Sequence, residues 1–191
     1  MSRSHPEIFI IEALRHDDNR DGRTLKKILS FEVRRTPRYR FVRTKAELKR
    51  AALEFEQGSY RWLHLSCHGD RTGFELPGDH DITFEEFSKI FAGRLNKRRL
   101  FVSACETGVK KLARAVFASN SDCYSVAAPK HSPRFDESAI MWSAFYYLMW
   151  RDNPDKMKRK KIRHTLEQLG RLFPPTIRFF TWDTKAGRVR G

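Results

Sequence analysis

Apolar and polar positions follow two alternating periods along this chain, and the switching between them outlines an α/β protein. Four short, nearly continuous apolar runs have the length of buried strands: Glu7–Leu14, Arg61–Cys67, Arg99–Ala104 and Cys123–Ala128. Arg38–Arg43 alternates polar with apolar residues and reads as a further strand, and Ile177–Trp182 as the last. Helical patterns fall between them. A polar loop, Arg15–Gly22, precedes a short helical stretch, Thr24–Ser30. Thr44-Lys-Ala-Glu47 reads as a capping box, with Leu48, Ala51, Ala52 and Phe55 behind it at helical spacing and Gly58 as the stop. Thr83-Phe-Glu-Glu86 is a second box, followed by Phe84, Phe87 and Phe91 on one face. Val109–Ser119 is amphipathic, and two more helices are predicted over 135–151 and 156–172, before Pro174-Pro175.

Strands separated by helices predict a mostly parallel sheet of about six strands with helices on both faces. The whole chain, 1–191, reads as one domain. Right-handed crossovers would then bring the ends of successive strands to one rim. Two of those strands end in chemistry. Trp62-Leu-His-Leu-Ser-Cys-His68-Gly69-Asp70 delivers an imidazole, and Leu100-Phe-Val-Ser-Ala-Cys105-Glu-Thr-Gly108 delivers a thiol. Open α/β sheets keep their sites at this rim.

Cys105 beside His68 is the arrangement that makes a thiolate nucleophile with a base. Gly108 opens a turn, and the helix from Val109 would aim its positive end roughly towards the sulfur. The N–H groups of Gly69 and Cys105 could bind an oxyanion during acyl transfer. His64 shares a face with His68 and reads as structural; Cys67 points the other way, and Cys123 sits at the opposite rim. No paired C-x-x-C or H-x-x-x-H spacing suggests a metal, and no glycine-rich loop suggests a nucleotide. For a substrate side chain, Asp17, Asp18 and Asp70 would suit a basic residue, whereas Arg15 or Arg134 would suit an acidic one.

With those residues in view, the chain resembles the caspase-like CHAT family, within the clan of caspases, metacaspases and separase. Leu63-His-Leu-Ser-Cys-His68-Gly69 and Val102-Ser-Ala-Cys105-Glu-Thr-Gly108 carry the resemblance. Lys111–Phe117 and Asp136–Tyr146 extend it. The resemblance implies a three-layer caspase-like sandwich and a cysteine endopeptidase, with His68 as base or orienting group and Cys105 as nucleophile. It implies no cofactor, and favours a basic residue before the scissile bond. CHAT domains are usually joined to helical repeats or sensor modules, and this sequence shows none, so the activator or sensor would be a separate protein. No long linker follows the Cys105 strand, which argues against two-chain maturation. Regulated proteolysis, as in bacterial defence, is the setting this suggests.

Charge adds a second theme. Lys and Arg outnumber Asp and Glu 38 to 23, for a formal charge of +15. Much of the excess lies in Arg20–Arg50 and in Lys156-Met-Lys-Arg-Lys-Lys-Ile-Arg163. Such clusters are solvated helix faces or sites for acidic partners, nucleic acid included, with Tyr39, Phe41 or Trp62 available to stack on bases. A non-catalytic interaction module, docking through the apolar helix near 135–150, is the other alternative. The longest apolar stretch, Ala139–Trp150, is twelve residues, short of the about 20 needed to span a bilayer. Ile8–Ile11 is too short for a signal peptide, and three unpaired-looking cysteines suit a reducing, cytoplasmic setting.

Overall fold

The computed structural model describes residues 8–31, 36–78, 81–152, 158–173 and 176–191. Glu7, Pro174-Pro175 and parts of both basic runs (Arg34, Arg35, Lys156, Met157) lie outside the described residues.

A seven-stranded sheet carries the fold. In chain order its strands are β1 (Ile8–Ala13), β2 (Arg38–Phe41), β3 (Trp62–Cys67), β6 (Arg99–Ser103), β7 (Ser125–Pro129), β8 (Ile177–Asp183) and β9 (Arg188–Arg190). Their spatial order is β2-β1-β3-β6-β7-β8-β9. The first five are mutually parallel, while β8 runs antiparallel to β7 and β9 antiparallel to β8. The mostly parallel α/β architecture predicted from the pattern is therefore present, with an antiparallel edge added. β9 left no apolar run to read, because only Val189 in Arg-Val-Arg is buried.

Both faces of the sheet are covered. Phe9, Ile11, Leu63, Leu65, Leu100 and Val102 pack on α2 (Lys45–Gln57), α3 (Phe84–Ile90) and α4 (Lys110–Ser119). The alternate residues Ile8, Ile10, Trp62 and Phe101 pack on α1 (Asp21–Leu29), α5 (Phe135–Asp152) and α6 (Arg159–Leu172). Strand alternation forces this division, and each fully buried Phe, Leu or Ile contributes about 1.5–3 kcal/mol. Trp62 is thus core, only 2% exposed, and unavailable for stacking on a base. Tyr39 donates its hydroxyl to the buried carboxylate of Glu12, and Phe41 lies under the Arg20 guanidinium.

Helix starts show how far local signals reach. Thr83 and Glu86 form a complete capping box on α3. On α2, Thr44 accepts the Glu47 N–H, but the Glu47 carboxylate takes the N–H of Arg43 instead of closing the box. α1 begins at Asp21, inside the stretch read as a loop, and has no side-chain cap. One tertiary and one local acceptor replace the cap: Glu12 from β1 takes the Arg23 N–H at 3.1 Å, and the adjacent Asp21 side chain takes the Gly22 N–H. The loop after His68 also holds structure, a two-residue hairpin of β4 (Gly73–Phe74) with β5 (Ile82–Thr83).

Candidate active site

The sheet order reverses beside β1: chain continuation from β1 to β2 goes one way and on to β3 the other. The crevice at such a point, beyond the strand ends, is where open sheets bind ligands. β3 and β6 pair directly, with Ser66 opposite Ser103 as the last partners. Two residues past each come His68 and Cys105, on the parity that faces α1 and α5.

Both line one cleft of about 780 Å³, together with Asp21, Ser103, Phe135 and Ser138. His68 is oriented from two sides. Its Nε2 lies 2.8 Å from Oδ2 of Asp18, in the loop after β1, and its ring meets Phe135 edge-on at 5.7 Å. The Asp18 contact leaves Nδ1 as the remaining ring nitrogen. Cys105 is half-buried, unlike Cys67 and Cys123, which are fully buried. Burial pushes the Cys67 thiol well up and the Cys123 thiol up to about 12, so neither is a ready thiolate.

Cys105 sits on a tight, well-bonded turn. Glu106 takes the left-handed conformation at φ 55°, its N–H bonded to the His131 carbonyl, and Thr107 donates its hydroxyl to the Ala104 carbonyl. Gly108 is required for close approach rather than for an unusual φ. A Cβ there would sit 2.6 Å from the Pro129 oxygen and 2.7 Å from that of Ala128. Gly108→Ala is therefore expected to lower stability by about 1–3 kcal/mol in urea titration. An unchanged midpoint would show that the end of β7 yields freely.

Beneath the cleft lies a buried carboxylate. Asp21, 6% exposed, accepts hydrogen bonds from Ser66 through one oxygen and from Ser103, at 2.6 Å, through the other. Ser103 also lies 3.1 Å from the Ser138 hydroxyl on α5. Among the described residues, the partners of Asp21 are hydroxyls and a backbone N–H, not a cation. Burial pushes its carboxyl up to about 6, against the pull of the two serines; the nearby Glu12 carboxylate adds to the rise. His64, further down β3, bonds Tyr146 at 3.1 Å, and burial lowers it to about 3, so it is a neutral structural group.

No protein-family model matches the sequence, and no curated protein matches it. Solved structures do. Gingipain R, described as an Arg-specific cysteine proteinase, superposes with a TM-score of 0.54 at 12% identity, over 89% of this chain and 43% of that one. A secreted C11 cysteine protease from Bacteroides thetaiotaomicron, in complex with an irreversible peptide inhibitor, gives 0.47 at 6% identity, over 97% and 89%. The chain has a caspase-like fold. It spans less than half of the gingipain chain it matches.

Within this caspase-like frame, the other candidate residues divide between two spaces: Arg134 lines the His68–Cys105 cleft, and Arg15, Gly69 and Asp70 line an adjoining hollow that also touches His68. Asp17 is exposed and lines neither cleft nor hollow, and Asp18 is engaged with His68. Asp70 caps its own turn, accepting from the Thr72 N–H and hydroxyl and from Gly73 N–H. Of the expected trio, Asp18 and Asp70 thus lie on either flank of His68's surroundings, and Asp17 lines neither space. Asp70 lines the hollow, of about 430 Å³, with Glu75 and Asp81. Arg15 is already paired with Glu75 at 2.7 Å, and Arg134 is held by both oxygens of Asp136. Gly69 is pressed against the hairpin: a Cβ would meet the Gly73 carbonyl at 2.9 Å. Among the described residues, no three His, Cys, Asp or Glu side chains are grouped to hold a metal ion, and no helix is long and apolar enough to cross a membrane. Sequence reasoning missed Asp21 altogether. Its signal was indirect: serines at 66 and 103, polar residues inside buried strands, each two positions before a reactive group.

Proposed function

We propose that this protein is a caspase-like cysteine endopeptidase. One observation carries the reading: His68 and Cys105, from adjacent strands, line the same cleft, and a carboxylate at 2.8 Å orients the imidazole. In the proposed reaction His68 takes the thiol proton as the Cys105 sulfur attacks the scissile carbonyl carbon. The N–H groups of Gly69 and Cys105 receive the oxyanion. His68 returns the proton to the leaving amine, and water then hydrolyses the thioester. Asp18 holds the ring and stabilises the imidazolium, as in other base–carboxylate pairs.

The substrate reading follows from the floor of the cleft. A carboxylate that lacks a cation of its own, bonded only to hydroxyls and an N–H, is matched by an incoming lysine or arginine side chain. Asp21 takes the role that the sequence had offered to Asp17, Asp18 and Asp70. The motifs around His68 and Cys105 support placement near the CHAT family, and with it control by a separate activator.

Iodoacetamide tests the nucleophile. Cys105 is expected to be alkylated first, ahead of Cys67 and Cys123, and more slowly in His68→Ala; equal rates at all three thiols would remove the proposal. Asp18→Asn is expected to lower kcat by about 10²-fold by freeing the ring, with KM for peptide nearly unchanged. An unaltered kcat would make the Asp18 contact incidental.

A further inference from the structure

The seam between α1 and α5 continues past the cleft into a second groove, of about 440 Å³. Ile28, Leu29 and Phe31 line it from the end of α1, and Tyr147 and Trp150 from α5. Phe31 and Tyr147 are 84% and 61% exposed, large apolar surfaces left in water. The Trp150 indole N–H is buried with no acceptor among the described residues. Ile140, which lines the cleft, precedes Tyr147 by two helical turns on the same face, so cleft and groove are in line.

Arg151 belongs to this groove and also to its neighbour, a trough of about 590 Å³ lined by Lys158, Lys160, Lys161 and His164. No Asp or Glu is among the residues described as lining either. An apolar strip therefore runs beside a trough whose described charged lining is basic, interspersed with Leu148, Thr165 and Gln168.

We propose that this composite surface docks an acidic amphipathic segment of a partner protein. Its apolar side chains would fill the Ile28–Tyr147 groove, and its carboxylates would lie along the basic trough. A helix with an apolar stripe beside an acidic one is the complement of this pattern. A second copy of the chain is a poor occupant, because its own formal charge is +15. Single-stranded nucleic acid fits less well too. Its backbone needs cations interleaved with the stacking rings, and here Arg151 alone among the described lining residues of the groove is cationic, while the lysines line the neighbouring trough. The docked segment would touch the two helices whose first turns line the cleft. This inference does not depend on the peptidase reading.

The test uses the full chain and a phage-displayed random-peptide library, with selected peptides then measured by fluorescence anisotropy. Recovered sequences are expected to be rich in Asp and Glu interleaved with Leu, Phe or Trp. Tyr147→Glu and the pair Lys158→Glu with Lys160→Glu, all at exposed positions, should each weaken binding about tenfold or more. Failure to recover peptides, recovery of peptides without acidic residues, or indifference to either variant would overturn the proposal. So would a poly(U) oligonucleotide that binds tighter than any peptide and ignores Tyr147→Glu. Because the readout is binding, an inert cleft would leave this result intact.

Discussion

Cys105→Ala and His68→Ala are each expected to reduce cleavage of a peptide bearing Lys or Arg before the scissile bond by roughly 10⁴-fold or more, with the double variant scarcely worse. The size follows from the division of labour. Without the sulfur no acyl intermediate forms, and without the imidazole the thiol is a poor nucleophile and the amine a poor leaving group. Non-additivity is the informative part, since groups acting in one step fail together. Neither change should unfold the chain: Cys105 is only half-buried and the His68 side chain is 32% exposed. Matching thermal melts for all three variants would confine the loss to chemistry. Independent, multiplying losses would mean that the two residues serve separate steps.

Asp21→Asn is expected to move stability and activity in opposite directions. The Asp21 carboxyl stands near 6 in the fold against an ordinary 3.8. Its favourable effect on folding is complete below about pH 4 and is lost as pH rises through about 6, a difference of about 3 kcal/mol. His64, lowered to about 3 from 6.5, runs the other way, and its contribution is lost as pH falls below 6.5. The amide removes the first effect and leaves the second. Asp21→Asn should therefore be more stable than the native chain at pH 7.5, by up to about 3 kcal/mol less the loosened serine bonds, and should lose about two thirds of that linkage advantage by pH 4.5. Acid unfolding of the variant becomes steeper. Urea titration at the two pH values measures this directly; a variant less stable at pH 7.5 would contradict it. Activity should fall where stability rises. For a substrate with Lys or Arg, kcat/KM drops about 10²-fold, as expected when one side of a desolvated ion pair is removed, while an uncharged analogue is little affected. A buried carboxylate that costs stability and has no cationic partner among the described residues fits a group kept for its chemistry.

The parts of this molecule that local sequence encodes were legible, and the parts that depend on distant contacts were not. The runs ending at His68 and Cys105 are apolar because β3 and β6 are covered on both faces, so their order and their rim could be read directly. The α3 capping box is a four-residue signal and formed as read. The start of α1 was hidden, because its N-cap residue Arg20 offers no side-chain acceptor and the Arg23 N–H is satisfied by Glu12 from another element. β8 reversed direction and β9 joined the edge without any mark that periodicity records. In the site, side-chain type and strand parity pointed to the imidazole and the thiol. Parity also carried Ser66 and Ser103, but only their meeting with Asp21, 45 and 82 residues away in sequence, gives them meaning. Asp18 was visible as an acid near the rim; its attachment to His68 was not.

That Cys105 and His68 form one reacting centre can be tested by trapping the sulfur. A peptidyl chloromethyl ketone carrying Lys or Arg, followed by peptide mapping by mass spectrometry, addresses it most directly. A single adduct on Cys105 is expected, absent or much slower in His68→Ala. An adduct on Cys67 or Cys123, no adduct, or labelling of Cys105 that ignores the loss of His68 would contradict it.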